Sequence, residues 1–455
     1  MAMAAGAIHP GRLGALRARE DAAFTARIPR SRALAEEAAR VMPSAVPMAW
    51  MAGCYRHPPL YVAGGEGARF RDVDGNVYLD FNQADLSMNC GFGPPAVADA
   101  VDARFRKGSS FLLPTEDAIA VSRALGARFG LSFWQYTLSA SAANAEAIRL
   151  ARLATGREGV VFFAGKYHGH TDELLVAGDE AGCRPELLGL RRDAGRGARM
   201  VPFNDRDALA RALGAGDIAC IVTEPALTNV GVVLPEPGFL EDVRDLANTH
   251  GSLLILDETH THMAAYGGLT RAWGLAPDMV TLGKSLGGGV PIGAWGMTEA
   301  LAETMSRHLD SDIDPRPGLA AGGTMYANAL SLAAARAALD HVLTVEGYAR
   351  VARLGARLAD GIEALIATHD LPWRAHRLGG RSGFCLAPEL PRDAAQAAVS
   401  LDPELIDGRR IFMANRGLWD AIASAGPAAS FAHEEADIDA YLAALAEFLA
   451  EIVAD

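Results

Sequence analysis

The sequence predicts an α/β protein, with a large domain on a mostly parallel sheet between helices and a smaller α+β domain toward the C-terminus. Three observations carry this. Between residues 118 and 251, short apolar runs alternate with amphipathic stretches, as crossover-connected parallel strands require. Two apolar runs, "LLILD" and "DMVTLGK", end abruptly at Asp257 and Lys284, as buried strands do when their tips reach a site. After "AGGTMYANALSLAAARAALDHVL", residues 321–343, the pattern changes to one long helix followed by strand-like alternation.

In chain order, residues 14–42 have helical periodicity and stop before Pro43. "GGEGARFRDVDGNVYLDF", residues 64–81, sets two alternating runs around Asp74-Gly75-Asn76, a hairpin signal. Helical patterns at 118–130, 143–154 and 240–251 alternate with strand patterns at 134–140, 159–165 and 218–225. Residues 347–369 read as a long helix, 373–388 as strands, 389–408 as a polar, proline-bearing stretch and 436–455 as a final helix. The domains expected are an N-terminal segment, 1–70, packing with the small domain, a large domain, 71–324, and a small domain, 325–455.

With 455 residues, half of them apolar, the chain has room for more than one core. A formal charge of −13 argues against a general phosphate-backbone binder, so no nucleic-acid partner is expected. No apolar run approaches the ~20 residues that cross a bilayer, and the N-terminus lacks the apolar segment of a secretory signal. Five scattered cysteines without a CxxC pair read as reduced thiols. A cytoplasmic location is the expectation.

Asp257 and Lys284 lie 27 positions apart (284 − 257), each at the end of an apolar run, the lysine followed at once by a glycine-rich turn. A buried carboxylate and a buried amine at neighbouring strand tips suit a pyridoxal phosphate (PLP) site. The amine can form a Schiff base with the cofactor aldehyde, and the acid can keep the pyridine nitrogen protonated. The stretch from "VTEPALTNVG" at 222 through "LLILDETHTH" to "LGKSLGGGVPIGAWG" at 296 resembles the class III aminotransferases of PLP fold type I. Within them it is most similar to the branch of glutamate-1-semialdehyde aminomutase and the β-amino-acid and amine transaminases. The resemblance runs from about residue 39 to 445.

That resemblance implies a seven-stranded, mostly parallel sheet in the large domain and assigns roles residue by residue. Asp257 would hold the pyridinium nitrogen, and Lys284 would be both anchor and proton shuttle. Thr259 stands where the family has an apolar residue against the ring. Ser139, Ala140 and Ser141, in "TLSASAANAEAIRLARLATG", occupy the phosphate turn. Alanine replaces its glycine at 140 and its glutamate at 142, yet helix N-terminal N–H groups survive those changes. In "GKYHGHTDELL", Tyr167 would stack on the ring with His168 beside it. Glu224 resembles the residue on the phenolic-oxygen side, with Asn229 shaping that wall. Thr324, in "GGTMYANA", matches the threonine that reaches the partner subunit's phosphate, which implies a homodimer with shared active sites.

On the substrate side, many relatives place a carboxylate-binding arginine where this chain has Trp50. Trp50 and Trp419 are therefore candidate walls of an apolar pocket, while Arg56, Arg381 and Arg416 are alternative carboxylate partners. The expected activity is amino transfer from a primary amine or ω-amino compound to a keto acid such as pyruvate. Alternatives are a glutamate-1-semialdehyde 2,1-aminomutase-like or β-amino-acid aminotransferase activity. A metal-dependent hydrolase is a remote rival, since "DETHTH" on a strand would put His260 and His262 on one face, but no complete metal-ligand spacing accompanies them.

Overall fold

The computed structural model of the protein describes residues 8–310, 316–421 and 426–453. The first seven residues of the terminal arm and the last two of the expected final helix lie outside them. The chain divides into two compact units. The larger runs from Pro95 to Tyr348 and includes Arg392–Ala395; the smaller holds the chain up to Pro94, Ala349–Pro391 and the residues from Gln396 onward. The sequence reading set its boundaries at residues 71 and 325. The larger unit runs on to Tyr348 because the helix Ala329–His341 packs on the helices Pro95–Phe105 and Glu116–Phe129.

The larger unit is built on seven strands: β1 Phe133–Thr137, β2 Gly159–Phe163, β3 Ala198–Val201, β4 Ile218–Thr223, β5 Leu253–Asp257, β6 Met279–Leu282 and β7 Gly293–Met297. Their spatial order is β1-β7-β6-β5-β4-β2-β3. Every described pairing is parallel except those of β7, which is antiparallel to both β1 and β6. β2, β4, β6 and β7 are buried at every position, so they appear in the sequence as continuous apolar runs without alternation. Phe162, Val222, Ile255, Met279 and Trp295 pack from the sheet against Ile148 and Leu150 of the helix Ala140–Thr155. Burying each of these large side chains is worth about 1.5–3 kcal/mol. The parallel strands therefore form a stiff platform with their C-terminal ends on one edge.

In the smaller unit, the hairpin expected around Asp74–Asn76 forms between Arg69–Asp72 and Val77–Asp80, closed by Asn76 N–H donating to Asp72 Oδ1 at 2.8 Å. Val62–Glu66 pairs outside it, and Leu418–Trp419 joins Leu79–Asp80 in parallel, so early and late segments share one sheet. Directly after Asp80 the chain makes an unusual turn. Four successive non-glycine residues, Gln83, Ala84, Asp85 and Leu86, have φ of 52°, 47°, 56° and 66°. Left-handed backbone costs roughly 1–2 kcal/mol per residue. The buried Asp80 carboxylate holds the turn, accepting the N–H groups of Asn82 and Gln83 at 2.8 Å each.

Two expectations are corrected. The single helix expected over 14–42 is two, Pro10–Arg27 and Pro29–Ala38. Pro29 has no N–H to give and pushes Ile28 out of helical geometry, to φ −121° and ψ 45°. The polar stretch 389–408 contains the start of a helix, Pro403–Asn415. Its N-terminus is capped by Asp402, whose Oδ1 accepts from Glu404 N and Leu405 N, with proline at the first position. Among the described residues, no helix is long and apolar enough to cross a membrane.

Candidate active site

The C-terminal ends of β2, β4, β5 and β6 open on the same edge of the sheet, where α/β proteins place ligands. Each delivers a polar group there: the loop bearing Tyr167 and His168 after β2, Glu224 after β4, Asp257 at the end of β5 and Lys284 after β6.

Asp257 is buried, and its partners are well defined. Oδ2 accepts from His168 Nδ1 at 2.9 Å and from Asn144 Nδ2 at 2.8 Å; Oδ1 accepts from Thr259 N at 3.0 Å. Burial alone would raise its pKa, but the His168 hydrogen bond and charge, with the Thr259 N–H, outweigh that and hold the carboxyl below its ordinary value. It is an anion with one oxygen still able to accept another donor. Asn144 also donates to His168 O at 2.8 Å and accepts from Thr281 Oγ1 of β6 at 2.7 Å. One amide thus ties the helix Ala140–Thr155, the His168 loop, β5 and β6 together.

Glu258 turns the other way, as adjacent strand residues do. It is fully buried and accepts from Thr261 Oγ1 at 2.6 Å, Leu269 N at 3.1 Å and Thr270 N and Oγ1 at 2.5 and 2.6 Å. It is a structural anchor of the loop after β5. That loop is a turn and a short 3-10 helix, Thr261–Met263, so His260 and His262 do not share a strand face. His260 Nδ1 lies 2.6 Å from Thr228 Oγ1, whereas His262 is buried within that 3-10 helix. Among the described residues, no group of three or more metal-ligating side chains forms.

Lys284 is partly buried and has φ +50°, a left-handed conformation rare for a residue with a side chain. Gly283 before it packs on Ala140: a Cβ at 283 would sit 2.9 Å from Ala140 Cβ and 3.1 Å from its nitrogen. The lysine loop is thereby seated on the N-terminus of the helix Ala140–Thr155. Ser139 caps that helix through Oγ, which accepts from Ala142 N at 3.3 Å. Ser141 Oγ accepts from His170 N at 3.0 Å, leaving its own proton to donate.

Glu224 is buried and accepts from Thr228 N and Asn229 Nδ2 at 3.1 Å each, and from the Thr228 hydroxyl. Tyr167 is 50 % exposed. Among the described residues, His168 Nε2 and Thr259 Oγ1 are buried without a hydrogen-bond partner. Such orphaned polar atoms beside a carboxylate fit a site shaped for a polar ring. Thr324 is exposed. Trp50 is exposed on the short helix Ala49–Gly53. Trp419 is a core residue: it packs with Phe70 and Tyr78 and donates its indole N–H to Tyr55 Oη at 3.2 Å. Arg56 is paired with Glu404 at 2.7 Å and Arg416 with Glu447 at 3.0 Å, whereas Arg381 is buried in the strand Arg381–Cys385. Asn144 was not singled out from the sequence. Its one signal is a poor helix former inside an alanine-rich helix.

A seven-stranded α/β platform that gathers a buried aspartate, a strand-end lysine and a helix N-terminus defines a ligand-binding α/β enzyme of the aminotransferase type. The chain belongs to the class III aminotransferase family, whose model matches residues 51–402. It is 36% identical over 407 residues to the glutamate-1-semialdehyde 2,1-aminomutase of Roseiflexus castenholzii, covering 87% of this chain and 91% of that protein. Among solved structures, it is similar to a variant glutamate-1-semialdehyde aminomutase of Pseudomonas aeruginosa in complex with PMP, with a TM-score of 0.92 and 35% identity over 98% of this chain and all (100%) of that one. An omega-transaminase from Sphaerobacter thermophilus matches with a TM-score of 0.84 and 28% identity, covering 93% of this chain and 98% of that chain.

Proposed function

We propose that this chain is a PLP-dependent aminotransferase that takes the amino group from a primary amine or ω-amino compound and passes it to a keto acid such as pyruvate. The observation that carries the cofactor assignment is the pairing of Asp257 with Lys284 at neighbouring strand ends, the aspartate anionic with an acceptor position to spare. The bound cofactor supplies a cationic pyridine ring that draws electrons away from the amino-bearing carbon of the substrate. Asp257 would be the carboxylate that holds the ring nitrogen protonated, and His168 and Asn144 fix that carboxylate in place. Ser139, Ala140 and Ser141 offer hydroxyl and backbone donors to the phosphate at the start of a 16-residue helix. By the family resemblance, Tyr167 would cover one ring face, Thr259 would pack near the other, and Glu224 would line the phenolic-oxygen side. Lys284 is the amine that would hold the cofactor through its carbonyl carbon and, once displaced by the substrate's amino group, would be the base placed to move the proton at the amino-bearing carbon.

Thr324 completes the neighbouring subunit's phosphate site, so the working unit is a homodimer. The amine preference is supported by Trp50 in the place of a carboxylate-binding arginine, and by the engagement of Arg56 and Arg416 in ion pairs. The second reading, an aminomutase or β-amino-acid aminotransferase, is favoured by the name of the Roseiflexus relative. Initial rates with an aryl-alkyl amine, a β-amino acid and glutamate 1-semialdehyde separate the two. Amine turnover is expected; exclusive use of a carboxylated substrate would defeat the amine assignment and leave the cofactor chemistry standing.

A further inference from the structure

The phosphate turn of this chain has alanine at position 142, where the family resemblance places a glutamate. One helical turn later, on the same face, stands Glu146. It is 4% exposed and both of its oxygens are engaged. Oε1 accepts the backbone N–H of Gly322 at 2.6 Å, and Oε2 accepts the indole N–H of Trp295 in β7 at 3.1 Å. From the same helix, Arg149 Nη1 donates to Ala320 O at 3.0 Å. The helix that opens the phosphate turn therefore grips the segment leading to Thr324 at two backbone points.

An acid buried in an alanine-rich helix is costly unless its partners need it. An apolar side chain would satisfy neither the Gly322 amide nor the Trp295 indole. Gly322 has φ +109° and Gly323 follows it, so the backbone here has little stiffness of its own. Glu146 and Arg149 supply a tether from outside this segment.

We infer that Glu146 is a positioning residue: with Arg149 it clamps residues 320–322 so that Thr324 is presented to the neighbouring subunit's phosphate, in place of the missing acid at 142. This rests on the reading of Thr324 given above, and the test separates the two.

The experiment uses the full-length dimeric enzyme with Glu146→Ala, Glu146→Gln, Arg149→Ala, Thr324→Ala and the Glu146→Ala/Thr324→Ala double variant. Two quantities are read: amide hydrogen exchange of the 318–326 peptide in protein without PLP, and the dissociation constant for PLP. Glu146→Ala is expected to speed exchange in that peptide at least tenfold, while the peptides of the helix Ala140–Thr155 stay protected. It should also raise the PLP dissociation constant about tenfold. Glu146→Gln, whose amide oxygen still accepts from Gly322, should restore most of the protection. The double variant should bind PLP no more weakly than Thr324→Ala alone.

Unchanged exchange in Glu146→Ala overturns the clamp. Faster exchange with unchanged PLP affinity, where Thr324→Ala does weaken binding, overturns its positioning role. If Thr324→Ala has no effect on PLP binding, the Thr324 reading falls and the inference falls with it. Should Glu146→Ala fail to fold, Arg149→Ala, an exposed position, must show the same changes at smaller size; wild-type behaviour there overturns the clamp.

Discussion

Replacing Asn144 by alanine removes the one side chain that ties four elements of the site together. Asn144 is fully buried and makes three hydrogen bonds, to Asp257 Oδ2, His168 O and Thr281 Oγ1. Truncation strands the fully buried Thr281 hydroxyl, which costs about 1–3 kcal/mol, and removes a donor to a charged carboxylate, worth about 1.5–3 kcal/mol. The vacated space is polar and near the size of a water, which recovers part of both. The expected loss is therefore about 3 kcal/mol. Urea unfolding of the protein without PLP, at one fixed subunit concentration, measures it free of ligand and association effects. Thr281→Val strands the other end of the same bond. The double variant should then lose less than the sum of the singles, by about 1 kcal/mol. A loss below about 0.5 kcal/mol for Asn144→Ala, or strict additivity with Thr281→Val, would refute the claim that this amide holds the site's frame.

Further predictions concern charge and assembly. Asp257→Asn keeps the shape of the carboxylate but cannot hold a ring proton by ion pairing; kcat should fall at least roughly 100-fold, and near-wild-type kcat would mean the cofactor is misplaced. Burial pushes the Asp80 carboxyl from its ordinary 3.8 up to about 7, against the backbone donors of Gln83, Asn82 and Ala84. Because the folded value is the higher one, its contribution to stability is fully present below about 4 and is lost as pH rises through about 7. The span corresponds to about 4 kcal/mol at most. Asp80→Asn should flatten the stability profile between pH 4 and 7 in urea titrations, and an unchanged slope would contradict the burial argument. Diluting the enzyme below its dimer dissociation constant should release PLP, which ultrafiltration can follow; retention by monomers would count against shared sites.

Much of this was legible in the sequence because buried parallel strands are read as uninterrupted apolar runs, and a charge that ends such a run marks the tip. That is why Asp257 and Lys284 stand out, and why the strand pattern at 159–165 and 218–225 matches β2 and β4 to within two residues. The resemblance then supplied what periodicity cannot, the expected roles of Ser139, Tyr167 and Thr324. Groups defined by a partner distant in sequence stayed hidden. Asn144 meets Asp257 across 113 residues, and Glu146 meets Gly322 across 176. Neither separation leaves a local signature. Trp419 looked like a pocket wall because an aromatic in a loop-rich stretch gives no sign of its neighbours; its parallel pairing beside Leu79–Asp80 buries it among Phe70 and Tyr78. The break at Pro29 and the start signal Asp402-Pro403-Glu404 were both written locally, but periodicity outweighed punctuation in the first case and overall polarity in the second.

The assignment of Lys284 as the amine that would hold the cofactor carbonyl can be tested directly. The chain has only three lysines, Lys107, Lys166 and Lys284, so covalent trapping is unusually decisive. Lys166 already donates its ammonium to Leu174 O and is buried, which removes it from competition. The measurement is borohydride reduction of the PLP-loaded protein, followed by absorbance and peptide mass mapping. Loss of the visible cofactor band and a single pyridoxyl phosphate adduct on the Lys284 peptide, absent from Lys284→Ala, are the expected result. An adduct on Lys107 or Lys166 instead, or PLP binding with no lysine adduct at all, would contradict it.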